Sequence, residues 1–112
     1  MAAHLNNLSA DKTLREITER IAMAFNPKKI VLFGSRARGD ARADSDYDLF
    51  VEMESNERPI DRVREVDALF GPRDWSMDVV VYTPDEVKNG IRNAGFILDE
   101  IEKDGVIIYA QA

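Results

Sequence analysis

Short β-branched apolar runs alternate with segments of helical period from one end of the chain to the other. That alternation restricts the fold to an α/β or α+β domain. Leu14, Ile17, Ile21, Ala24 and Phe25 predict an amphipathic helix over residues 10–25, ended by Asn26-Pro27. Lys29–Phe33 reads as a buried strand and Tyr47–Met53 as a second. Between them, residues 34–45 are too polar for a core and predict a loop with a short helical turn. Ile60, Val63, Val66, Leu69 and Phe70 predict a helix stopped by Gly71-Pro72, followed by a strand at Met77–Tyr82. Thr83-Pro84-Asp85-Glu86 is a helix start, with Thr83 as cap, Pro84 at the first helical position and Glu86 completing a capping box. A helix over Phe96–Lys103, ended by Gly105, and a strand at Val106–Tyr109 complete the pattern.

A chain of 112 residues holds one domain, here spanning 1–112 with residues 1–9 expected as a flexible tail. Without cysteine it has no disulfide, no thiolate metal ligand and no thiol nucleophile. No apolar run approaches the roughly 18 residues needed to span a bilayer, and residues 1–12 lack the pattern of a secretory signal. The expected location is cytoplasmic, with no membrane partner. A net charge of -6 argues against general nucleic-acid binding. The charge is uneven: residues 1–45 carry +3 and residues 46–112 carry -9. The basic excess ends where a cluster of aspartates begins, as it would where a phosphate-handling segment adjoins a cation-handling one.

The most informative stretch runs from Phe33 to Leu49, FGSRARGDARADSDYDL. Asp46 and Asp48 are two apart on a predicted strand, so both carboxylates point to one face and Tyr47, Leu49 and Val51 to the other. Adjacent carboxylates repel, and a cation between them removes that cost. Oxygen-only ligands suit Mg²⁺ or Mn²⁺ rather than zinc. Asp78 lies 30 residues after Asp48, at the start of the third strand. That interval accommodates a crossover helix and a return to a neighbouring strand. Three converging carboxylates suit a two-metal phosphoryl-transfer site. Upstream, Gly34-Ser35 follows a buried strand and precedes a helical turn, where backbone N–H groups and the Ser35 hydroxyl can receive a phosphate. Arg36, Arg38 and Arg42 can add charge-assisted contacts. Each piece alone is more often a turn, a solvated strand edge or surface charge; their ordered combination is not easily dismissed.

Gly34-Ser35, a spacer of ten, Asp46-Tyr47-Asp48 and the later Asp78 resemble the signature of the DNA polymerase beta-like nucleotidyltransferase superfamily. GSRARGDARADSDYDL, MDVVVYTPDEV and IEKDGVIIYA are similar to the minimal nucleotidyltransferase (MNT) domains, over residues 13–110 or so. The resemblance implies a nucleotidyltransferase fold, a mixed sheet of about four strands flanked by helices. It implies that Asp46, Asp48 and Asp78 are catalytic and hold two Mg²⁺ (or Mn²⁺) ions. It implies ATP as substrate, with Gly34 and Ser35 at the β- and γ-phosphates and Arg36 assisting. The acceptor hydroxyl attacks the α-phosphorus, pyrophosphate leaves, and Asp78 orients or deprotonates the hydroxyl.

Many MNT proteins are antitoxins paired with a helical HEPN ribonuclease toxin, and some add AMP to a tyrosine of that toxin. The expected partner is therefore a HEPN-type toxin in a hetero-oligomer. Larger relatives position acceptors with a second domain, for which the roughly 30 residues after Tyr82 leave no room. Two alternatives remain: an antitoxin that neutralises by contact alone, and a small-molecule (antibiotic) nucleotidyltransferase. Trp75, Tyr47 and Phe50 are expected in the core or at its edge.

Overall fold

The computed structural model describes residues 10–89, 99, 101 and 103–111. Its first helix, α1 (Lys12–Phe25), is started by Asp11, whose carboxylate accepts the Leu14 N–H at 3.0 Å. It ends at Asn26 in the left-handed conformation (φ 46°), whose N–H returns to the Ala22 carbonyl. Leu14, Ile17 and Ile21 form its buried stripe, each contributing about 1.5–3 kcal/mol of apolar burial.

The chain continues through β1 (Lys29–Phe33), α2 (Ser35–Arg38), β2 (Tyr47–Glu52), α3 (Pro59–Asp67), β3 (Met77–Tyr82), α4 (Pro84–Asn89) and β4 (Val106–Ala110). The strands form one mixed sheet in the order β3-β2-β1-β4. β1 is antiparallel to both β2 and β4, and β2 is parallel to β3. A parallel pair needs a crossover, and α3 lies on that connection.

Both faces of the sheet are covered, which explains why β1 and β2 read as unbroken apolar runs. Ile30, Leu32, Tyr47, Leu49, Val51, Val79 and Val81 share one core with α1 and with Val66 of α3. Val31, Phe33 and Phe50 form a second cluster on the opposite face, with Val80, Tyr82, Val87 and Ile101 packed on it. Glu52 is buried at the end of β2, with Lys28 at 3.5 Å and Lys29 at 3.7 Å from its carboxylate.

The predicted elements agree with the structure except at one helix end. α3 stops at Asp67, before the Gly71-Pro72 breaker. Leu69 N–H bonds to Val66 and Phe70 N–H to Asp67, so bonding tightens from i−4 to i−3 and the chain leaves the helix. Phe70 then turns into the core edge against Trp75, with ring centroids 5.4 Å apart. The expected capping box is formed: Thr83 Oγ1 accepts the Glu86 N–H, and Glu86 Oε1 accepts the Thr83 N–H at 2.8 Å. The predicted helix over residues 96–103 lies largely outside the described residues, but Asp99, Ile101, Lys103 and Asp104 are helical. Gly105 follows them, and a Cβ there would stand 2.9 Å from Val31 Cγ1. The expected tail at 1–9 also lies outside the described residues.

Candidate functional site

The site forms where β1, β2 and β3 end together. Antiparallel pairing sets Phe33 opposite Asp48, so the chain leaving β1 passes directly over the Asp48 side chain. Gly34 occupies that crossing at φ 75° and ψ −157°, a conformation essentially restricted to glycine. A Cβ on Gly34 would overlap the Asp48 carboxylate and stand 3.1 Å from its Cγ. The glycine of the Gly-Ser pair is therefore required twice, by its own backbone and by the aspartate beneath it. Its carbonyl accepts the N–H groups of Ala37 and Arg38, opening α2, and Gly39 closes the turn at φ 86°.

The parallel register pairs Asp48 with Asp78. Their neighbours Tyr47, Leu49, Val79 and Val81 all enter the core of the other face. The two carboxylates thus stand side by side on one face, about 4.8 Å apart in strand spacing. Asp48 is half-buried and Asp78 exposed. Asp46 precedes β2 by one residue rather than lying within it, is exposed, and accepts a hydrogen bond from Ser76 Oγ. The Tyr47 N–H donates to the Ser76 carbonyl at 3.0 Å, so Ser76 fixes the start of β2 from both its backbone and its side chain.

The donor set suits a hard divalent cation, being carboxylate oxygen throughout. Among the described residues, however, no three of His, Cys, Asp and Glu are gathered closely enough to hold a metal ion as they stand. Asp48 and Asp78 are neighbours by register, and the Asp46 carboxylate is engaged by Ser76.

The arginines are placed differently from one another. Arg36 is 15% exposed at its side chain and is directed onto the loop that leads to Asp46. Its Nε and Nη2 donate to the Ser45 carbonyl at 3.0 and 2.9 Å, and Nη2 also reaches the Ala43 carbonyl at 3.1 Å. Its guanidinium carbon lies 4.0 Å from the centroid of the Tyr47 ring, and Nη1 is 3.9 Å from Asp11. The Tyr47 hydroxyl donates to Asp11 at 2.9 Å. Burial, reinforced by that hydrogen bond and by the Asp11 charge, raises the Tyr47 phenol above its ordinary value. Arg38 faces Asp40 and Asp104, and Arg42 is exposed.

Three participants were missed from the sequence: Ser76, Asp11 and the loop-directed role of Arg36. Ser76 had a usable signal, since it precedes β3 by one residue as Asp46 precedes β2. Asp11 had none, because its partner Tyr47 is 36 residues away. Trp75 packs at the core edge as expected, between Tyr47 and Phe70.

Residues 15–112 match the family model described as polymerase beta, nucleotidyltransferase. The chain belongs to this nucleotidyltransferase family. Its fold is also that of solved structures. One is a protein of Sulfolobus solfataricus solved as a candidate nucleotidyltransferase, 25% identical, with a TM-score of 0.58 over 86% of this chain and 76% of that one. Another is a crystal structure of a toxin–antitoxin with AMP-PNP, 21% identical, with a TM-score of 0.58 over 87% of this chain and 73% of that one. Comparison with curated proteins gives no match. The nucleotidyltransferase domain thus has its sheet, its Gly-Ser turn and its acidic strand ends in the positions described above. Among the described residues, no helix is long and apolar enough to cross a membrane.

Proposed function

We propose that this nucleotidyltransferase moves AMP from ATP to a hydroxyl of a protein partner and acts as the antitoxin of a HEPN-type ribonuclease toxin. The carrying observation is the alignment of Gly34, Asp48 and Asp78 across the ends of three adjacent strands. A side-chain-free turn lies over one carboxylate, and a second carboxylate is its direct neighbour. That arrangement supports a triphosphate meeting an attacking oxygen there.

Asp46, Asp48 and Asp78 would hold Mg²⁺ or Mn²⁺. When bound, the ions would neutralise phosphate charge and polarise the α-phosphate. Gly34 admits the triphosphate close to the backbone, and Ser35 offers its hydroxyl to the phosphate oxygens. Arg36 belongs to this nucleotide-binding turn. The acceptor oxygen forms a bond to the α-phosphorus as the bond to the bridging α–β oxygen breaks. Pyrophosphate carries away that electron pair, and the acceptor proton passes to Asp78. Asp78 is suited to this role because it is exposed at the end of the outer strand β3, where a partner can approach. A toxin partner is further supported by the shared fold with the toxin–antitoxin crystallised with AMP-PNP.

Intact-mass spectrometry of the co-purified partner, after incubation with this protein, Mg²⁺ and ATP, tests the proposal. One or more added AMP units are expected, with none when Asp46→Asn and Asp48→Asn are combined. An unmodified partner that stays bound and inhibited would replace transfer with neutralisation by contact.

A further inference from the structure

We propose that Arg36 is a positioning residue, whose guanidinium locks the loop 42–45 so that Asp46 is delivered to the site; this rests on the nucleotidyl-transfer reading above. Asp46 stands one residue before β2, so Ser76 anchors its side chain while its backbone follows from the loop. What precedes it is a loop whose carbonyl groups need donors. Arg36 supplies them. Its planar fork meets Ser45 twice and Ala43 once, with a longer contact to the Arg42 carbonyl at 3.4 Å. The loop is closed internally as well: the Arg42 N–H donates to Ser45 Oγ at 2.8 Å, and the Ser45 N–H to the Arg42 carbonyl at 3.1 Å.

The guanidinium is itself held on two further sides. It stacks on the Tyr47 ring, which is buried, and lies beside Asp11, which the Tyr47 hydroxyl also grips. Asp11 in turn is the N-cap of α1. The start of α1, the turn α2 and the loop before β2 are therefore joined through one planar cation. With its donors turned to loop carbonyls, Arg36 acts on the phosphates through the placement of Asp46.

Lysine is no substitute for such a residue. It keeps the charge but cannot place parallel N–H donors on several carbonyls while stacking on a ring. A contact to phosphate made through charge, by contrast, is kept in part by a lysine. Arg36→Lys and Arg36→Met separate the two roles. Backbone amide exchange at residues 42–46, measured without ligand, is expected to rise by about tenfold or more in both variants, with β1 and β3 unchanged. Calorimetry with AMP-PNP is expected to show weakened binding in the presence of Mn²⁺ and unchanged binding without it, equally in both variants.

Unchanged exchange in the loop would overturn the proposal. So would rescue of Mn²⁺-dependent binding by lysine, which would make Arg36 a phosphate ligand, or faster exchange with binding intact, which would confine Arg36 to stability. A wild-type chain that binds AMP-PNP no better with Mn²⁺ would remove the functional reading and this role with it. The ligand-free exchange result separates that failure from a failure of the lock.

Discussion

At Gly34 two constraints meet in one residue, and they have different consequences. The positive φ excludes a side chain on conformational grounds, and the Asp48 carboxylate excludes it on steric grounds. Gly34→Ala is expected to lower stability by about 1–3 kcal/mol for the backbone alone. Its effect on nucleotide binding is expected to be larger, because relief of the overlap displaces Asp48. Denaturant unfolding beside AMP-PNP titration checks both; an alanine variant that binds normally would show that Asp48 is not under this constraint. The sequence pointed to Gly34 as a turn that admits phosphate, yet the close approach of Asp48 was not legible there. It depends on the antiparallel register of β1 and β2, which brings together residues 14 apart in the chain. Arg36 carries the same lesson: its charge suggested a phosphate contact, and its hydrogen bonds to the Ser45 and Ala43 carbonyls, with Asp11 and the Tyr47 ring beside it, depend on contacts that the local pattern does not show.

Among the elements, α4 shows a signal that was fully local. Thr83, Pro84 and Glu86 lie within four residues, and their capping box forms as the spacing required. Thr83→Ala is expected to cost about 1 kcal/mol in chemical denaturation. Glu86 also receives Arg62 at 2.7 Å, a buried cation that further donates to the carbonyls of Glu57 and Val81. Burial by itself would raise the Glu86 carboxyl, but the hydrogen bonds from Thr83 and Arg62 and the Arg62 charge outweigh it, and the group sits below its ordinary value of 4.5. A lowered native value means that the unfolded chain binds more protons. The contribution of Glu86 is thus complete above about 4.5 and is lost as pH falls through the native value. Glu86→Gln should therefore lose stability at neutral pH and show a shallower fall on acidification than the parent; parallel pH profiles would contradict this. The end of α3 was not legible because nothing at Asp67 or Ala68 breaks a helix. The chain instead leaves the helix after Asp67, four residues ahead of Gly71, where Phe70 packs against Trp75.

For the molecule as a whole, the alternation of helix and strand fixed the class and a 30-residue interval anticipated the β2–β3 neighbourhood. The placement of β4 beside β1 was not legible. It joins segments some 77 residues apart, by pairing that leaves no mark on local pattern. The resulting sheet sets Asp48 and Asp78 side by side, and like charges so placed oppose each other. In metal-free buffer, Asp78→Asn is expected to raise the thermal midpoint slightly; a fall would mean that this carboxylate is there for the fold. On this reading Asp46, Asp48 and Asp78 form one cation-dependent triphosphate site. Mn²⁺ uptake, followed by the paramagnetic resonance of the free ion with AMP-PNP present, tests it most directly. Uptake by the parent chain, lost in both Asp48→Asn and Asp78→Asn, is expected. Equal uptake by the parent and both variants, or none by the parent, would contradict it.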